Sequence, residues 1–222
     1  MIVGVMATSQ QSTTEKYRSL AEAVGAVVAA NGFHLLTGGG LGLMQIAGKE
    51  FLHTKGRAGK LISVLRAKGT DHLTESWDSK GNLKLNERGR GASAKETVRP
   101  WKANEDNKLA EILIRTHLPY SGELGEHDLS RNHINILTSD LIVILPGGIG
   151  TLSELRLAYE YDKPTAVFLG VDGPVGRKGA EQIKTEFTGV IVADTADRLQ
   201  DWLVSSRAKL AAGKRHHRGR FV

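Results

Sequence analysis

Cysteine is absent from the 222 residues, which rules out disulfides, thiolate catalysis and cysteine-ligated zinc or iron centres. No apolar run approaches the roughly 20 residues that a membrane-crossing helix needs. A basic leader region is also lacking. The apolar start Met1-Ile2-Val3-Gly4-Val5-Met6 has no cleavage site after it and reads as a first strand, so a cytoplasmic protein is expected. Aromatic residues make up only 5% of the chain, and the interleaving of aromatic and basic side chains used by single-strand nucleic-acid binders is weak. The eight histidines show no metal-ligand spacing. Charge is in excess on one side, at +6, but much of it lies between Lys209 and Arg220, where Lys214, Arg215, Arg218 and Arg220 stand beside His216 and His217. The remainder is mildly basic. A solvated tail accounts for the excess, with a phosphate-contacting arm as the alternative, and nucleic acid is not expected as a partner.

What is present is an alternation of β-branched apolar runs with helical periods, the pattern of βαβ units winding a parallel sheet. Strands are expected near Ile2 to Ala7, Phe33 to Thr37, Lys60 to Leu65, Leu141 to Leu145, Thr165 to Leu169 and Val190 to Val192. Helices are expected near Thr14 to Asn31, Leu43 to Thr54, Asn104 to His117, Ser130 to Ser139, Thr151 to Tyr161 and Thr195 to Ala212. The fold class is therefore α/β, a Rossmann-like, doubly wound, mainly parallel sheet flanked by helices. One domain over residues 1–212 is expected, with an irregular insertion at about 66–100, where polar and glycine-containing stretches break the pattern. Residues 213–222 form the basic tail, expected to be disordered.

Two glycine-rich turns come directly after expected strands. Thr37-Gly38-Gly39-Gly40-Leu41-Gly42-Leu43-Met44 is the first, and Gly38, Gly39, Gly40, Gly42 and Met44 are candidates for nucleotide contact. Glycines there leave backbone N–H groups open to an anion, and the next helix adds the positive end of its dipole. The second turn is Pro146-Gly147-Gly148-Ile149-Gly150-Thr151, directly after the buried run Leu141 to Leu145. Pro146, Gly147, Gly148, Gly150 and Thr151 make it the stronger phosphate candidate, since the helix terminus favours negative charge by roughly 0.3–1 kcal/mol. In a doubly wound sheet both turns, with Ser9 of the polar loop Thr8 to Ser12, surround one crevice.

Glu154 and Arg131 are the candidate catalytic residues. A carboxylate in the first turn beside a phosphate cradle can orient water or stabilise an oxocarbenium-like centre. Thr151-Leu152-Ser153-Glu154 also spells a capping box, in which Thr151 caps the helix and Glu154 reaches back to it. Arg131 offers a guanidinium fork to phosphate or ribose, or pairs on the surface with Asp128. His133 beside it reads as structural.

The run from Pro146 to Glu154 resembles the PGGxGTxxE signature of proteins labelled lysine-decarboxylase-like, now the Lonely-guy family of cytokinin riboside monophosphate phosphoribohydrolases. Gly38 to Met44 is similar to that family's GGGxxGLM turn. The resemblance implies a Rossmann-like homodimer or higher homo-oligomer that binds a phosphorylated small molecule and needs no cofactor. It places Glu154 and Arg131 at the catalytic positions, for release of a free base and ribose 5-phosphate from a nucleoside 5'-monophosphate. Asn132 stands where those enzymes carry lysine, and Arg-Asn followed by such a turn also looks like the molybdenum-cofactor carrier proteins of the same superfamily, which bind rather than cleave. No pyridoxal-phosphate lysine is recognisable, so the decarboxylase label finds no support.

Overall fold

β-branched and leucine runs that cannot be left in water form the centre of a parallel sheet. The computed structural model describes residues 1–66, 73–77, 83–87, 109–118, 120–170 and 172–213. The seven strands of this sheet are β1 (Ile2–Met6), β2 (His34–Thr37), β3 (Leu61–Leu65), β6 (Ile112–Arg115), β7 (Leu141–Ile144), β8 (Thr165–Phe168) and β9 (Ile191–Ala193). They lie in the order β6-β3-β2-β1-β7-β8-β9 and every pair is parallel. The remaining strands, β4 (Leu73–Trp77) and β5 (Leu83–Glu87), make a separate antiparallel pair.

Alternation along each central strand sends side chains to two cores. Val3, Val5, Leu35, Leu141 and Val143 pack on one face against α2 (Arg18–Ala30), α3 (Leu43–His53) and α7 (Ala196–Ala211). Met6, Leu36, Ile142 and Ile144 pack on the other against α4 (Asn132–Thr138), α5 (Ile149–Glu160) and α6 (Ala180–Glu186). Helices on both faces of a parallel sheet are the doubly wound architecture expected from the sequence.

Differences from expectation are local. The helix expected over Asn104 to His117 is, from Ile112 to Arg115, strand β6; residues 104–108 lie outside the described residues. Pairing with β3 overrides the helix-forming composition, and Glu111 anchors the strand's start. Its carboxylate accepts from the Leu61 N–H at 3.0 Å, Arg57 at 2.9 Å and Lys60 at 3.1 Å. Burial would raise this carboxyl, but those donors hold it down, to about 2. The expected helix Thr14 to Asn31 is two helices, α1 (Gln11–Lys16) and α2, broken at Tyr17, whose buried ring sends its hydroxyl to the Asp172 carbonyl at 3.0 Å. Within 66–100, β4 and β5 supply regular structure where an irregular stretch is expected; the rest of that stretch past Arg66 lies outside the described residues, as do 214–222. Helix α6 is short and was not expected from periodicity.

Candidate functional site

Strand order reverses at β1, with β2, β3 and β6 to one side and β7, β8 and β9 to the other. At such a switch point the loops leaving neighbouring strands diverge and open a crevice at the carboxyl edge. A cavity of about 560 Å³ lies there. It is lined by the loop after β1, the glycine-rich turns after β2 and β7, and a loop carrying a 3-10 turn at Gly122–Leu124.

The turn after β7 differs from its expected form in one respect that matters. Helix α5 starts at Ile149, with Gly148 as its N-cap, so Thr151 is already the third helical residue. Neither Thr151 nor Glu154 caps the helix, and the capping-box reading is corrected. Ser153 instead ties this end down, donating to the Gly150 carbonyl at 2.7 Å and the Gly122 carbonyl at 3.2 Å. The amides of Ile149, Gly150 and Thr151 have no acceptor within the helix. All three residues line the cavity, so the positive end of α5 opens onto it. A Cβ built on Gly148 would meet nothing within 4 Å, whereas one on Gly150 would come within 2.8 Å of the Gly122 backbone. Gly148 therefore borders the cavity, and Gly150 admits the covering loop.

Two donors of the turn after β2 are engaged within the protein. The Gly39 N–H donates to Thr37 Oγ1 at 3.1 Å and the Leu43 N–H to the Thr8 carbonyl at 3.1 Å. Gly42, at φ +71°, occupies the left-handed region and lets the β1 loop pass close by, a Cβ there coming within 2.6 Å of the Thr8 carbonyl. Leu41 projects from this turn and is 43% exposed.

Arg131, expected to offer its guanidinium to a phosphate or ribose or to pair on the surface with Asp128, is buried. Its Nη1 donates to the carbonyls of Gly38 and Val64, and a Cβ on Gly38 would collide with the guanidinium. The side chain thus braces the carboxyl ends of β2 and β3, and it has no ion pair with Asp128. Burial lowers its pKa to about 10, with nearby Glu154 opposing the shift and Arg66 adding to it. Glu154 is buried, has no hydrogen bond or ion pair among the described residues, and is raised by desolvation to about 7, an effect that Arg131 partly offsets. Asn132 is 1% exposed and lines the cavity, yet neither its amide nitrogen nor its carbonyl oxygen has a hydrogen-bond partner. Leaving such a group unpaired costs about 1–3 kcal/mol, so the carboxamide beside the cavity needs a partner that its protein neighbours do not supply.

Of the residues expected from the sequence, Ser9, Gly38, Gly39, Gly40, Met44, Arg131, Gly148, Gly150, Thr151 and Glu154 line the one cavity, while Gly42, Pro146 and Gly147 lie outside its lining. Gly147 is engaged in the fold, its N–H on the Pro174 carbonyl at 3.0 Å and its carbonyl on the Gly176 N–H at 2.7 Å. Asn132, Arg66, Ser121 and Glu123 also line the cavity and were not among the candidates. Asn132 alone had a signal, as the neighbour of Arg131; the others arrive through strand order and a loop without a motif. His133 is held between the Tyr161 hydroxyl at 2.6 Å and the His127 carbonyl at 3.0 Å, away from the cavity. Among the described residues no cluster of histidine and carboxylates is placed to hold a metal ion, and no helix is long and apolar enough to cross a membrane.

The profile of the SLOG cluster4 family matches residues 1–79 and 94–199. No curated protein is similar enough to count as a match. Solved structures share the fold at low identity. The molybdenum cofactor carrier protein from Chlamydomonas reinhardtii is 23% identical, with a TM-score of 0.62 over 94% of this chain and 98% of its own. The molybdenum cofactor binding protein of the phototrophic bacterium Rippkaea orientalis is 23% identical, with a TM-score of 0.59 over 92% and 95%. DNA processing protein A from Helicobacter pylori, described for its single-stranded DNA binding, is 17% identical, with a TM-score of 0.57 over 92% and 80%. At these identities the likeness carries the fold alone.

Proposed function

The chain belongs to the SLOG cluster4 family, and from that premise we propose that it holds a phosphorylated small molecule, a nucleoside monophosphate or a phosphorylated pterin such as the molybdenum cofactor, in the crevice beside β1. One observation carries the reading: the first turn of α5, whose amides have no acceptor within the helix, lines the same cavity as Asn132, whose buried carboxamide has no partner. Phosphate sits on the amides, where the helix dipole and N–H donors act together. Asn132 supplies a neutral donor and acceptor to the rest of the ligand. Holding is favoured over cleavage because Nη1 of Arg131 is committed to two backbone carbonyls, and because asparagine replaces the lysine of the phosphoribohydrolase pattern. The carrier proteins that share the fold have ligands of this class by name.

A second reading, hydrolysis of an N-glycosidic bond, is favoured by Glu154. A buried carboxyl raised to about 7 can deliver a proton to a leaving base or, once ionised, stabilise the ribosyl cation. The two readings part in one experiment. Purified protein is examined by native mass spectrometry for a bound phosphorylated ligand, then incubated with a panel of nucleoside 5'-monophosphates and the products separated by chromatography. Retained ligand without free base is the expected result. Free base and ribose 5-phosphate at a rate abolished by Glu154→Ala would replace holding with hydrolysis.

A further inference from the structure

The two glycine-rich turns look alike in sequence but present different chemistry to the cavity. After β7 the first three amides of α5 have no acceptor within the helix, and of the residues that carry them only Ile149, 55% exposed, has a large apolar side chain. After β2 the Gly39 and Leu43 donors are engaged within the protein, and the side chains of this turn that line the cavity are aliphatic: Leu41, 43% exposed, and Met44. Gly40 makes room for that methionine, since a Cβ there would lie 2.7 Å from the Met44 methyl. A large aliphatic side chain left exposed inside a polar cavity is an apolar surface with nothing on it.

We propose that the turn after β2 is the platform for a planar heterocycle, with Leu41 and Met44 against the ring face, while the turn after β7 takes the phosphate. The inference rests on the phosphate-binding reading and adds the second half of the ligand. Strand order sets the spacing. β2 and β7 are the two neighbours of β1, so their turns stand two strand spacings apart, about 10 Å. That is the reach from a 5'-phosphate across a ribose or a similar linker to a base, and the loop after β1, with Thr8, Ser9 and Gln10 in the cavity wall, runs beneath the linker. Both faces of a purine or pterin ring are apolar, so an aliphatic platform accepts the ring without selecting its edge.

Isothermal titration of the full-length protein with adenosine 5'-monophosphate, guanosine 5'-monophosphate and ribose 5-phosphate tests the division of labour. Leu41→Ser is expected to weaken both nucleotides on the order of tenfold and to leave ribose 5-phosphate unchanged, because the lost contact is apolar and touches only the ring. Leu41→Phe is expected to keep or improve nucleotide affinity. Leu41 is surface-exposed, so both variants fold, as circular dichroism melts verify. The platform is overturned if Leu41→Ser weakens all three ligands equally or none, or if Leu41→Phe binds nucleotides no better than Leu41→Ser. Ribose 5-phosphate bound as tightly as the nucleotides by the native protein would overturn the platform and spare the phosphate site. Absence of binding by all three would overturn both.

Discussion

With its carboxyl buried near Arg131 and no hydrogen bond among the described residues to hold a charge, Glu154 keeps its proton to about pH 7. The unfolded chain releases that proton near the ordinary value of 4.5. Between these values the folded state binds more protons than the unfolded one, so this residue's contribution to stability is present below about 4.5 and is lost as pH rises to about 7. Glu154→Gln removes the titration. Relative to the native chain, the variant should gain about 2–3 kcal/mol on going from pH 5 to pH 8, read from urea unfolding at both pH values. Phosphate binding should change with the same titration, weakening above pH 7 in the native chain as the carboxylate forms and staying level in the variant. An unchanged stability difference at the two pH values would show that Glu154 is ionised throughout. The motif and the resemblance marked Glu154 and Arg131, and both line the cavity. The capping assignment was not, because Gly148, whose N–H precedes the helix and whose conformation starts it, is indistinguishable in sequence from the other glycines of the turn.

Glycines of one element can serve opposite ends, and α5 separates them. Gly148, at φ −83°, has a conformation any residue adopts, and its Cβ would point into open space. Gly148→Ala should leave stability within about 0.5 kcal/mol of the native chain while weakening phosphate, because the new methyl group borders the anion position. Gly150→Ala should cost about 1–3 kcal/mol by pushing the Gly122 loop, whose backbone lies 2.8 Å from the added atom. Thermal melts and titration with ribose 5-phosphate distinguish the two; equal loss of stability would mean that the turn packs differently. Element identity was readable where burial and length agreed, as in β1, β7, α3 and α7. It was not readable in β6, where Ile112–Arg115 sits among helix-forming residues and becomes a strand only because β3 and Glu111 offer it an edge. The pair β4 and β5 was equally hidden, since its residues carry no apolar run long enough to announce a strand.

For the molecule as a whole, α7 ends at Ala211, and its buried residues Leu199, Leu203 and Ser206 all precede the basic segment. Deleting residues 214–222 should leave the melting temperature unchanged within about 2 °C and nucleotide affinity unaltered, by calorimetry on both forms. A salt-dependent affinity for single-stranded oligonucleotide that disappears with the same deletion would assign the tail to nucleic acid instead. The sequence by itself determined the fold class, through buried β-branched runs separated by amphipathic periods, and it marked the two turns, through glycines placed directly after such runs. Tertiary structure decided how the donors of each turn are used. The Gly39 and Leu43 amides are taken by Thr37 and Thr8 while the first amides of α5 are not, and hydrogen-bond partners of that kind are fixed by how strands and loops pack. It also decided that Arg131 braces backbone while Asn132 waits unpaired, since burial and bonding depend on β2 and β3 lying across the crevice, which no local stretch of chain encodes.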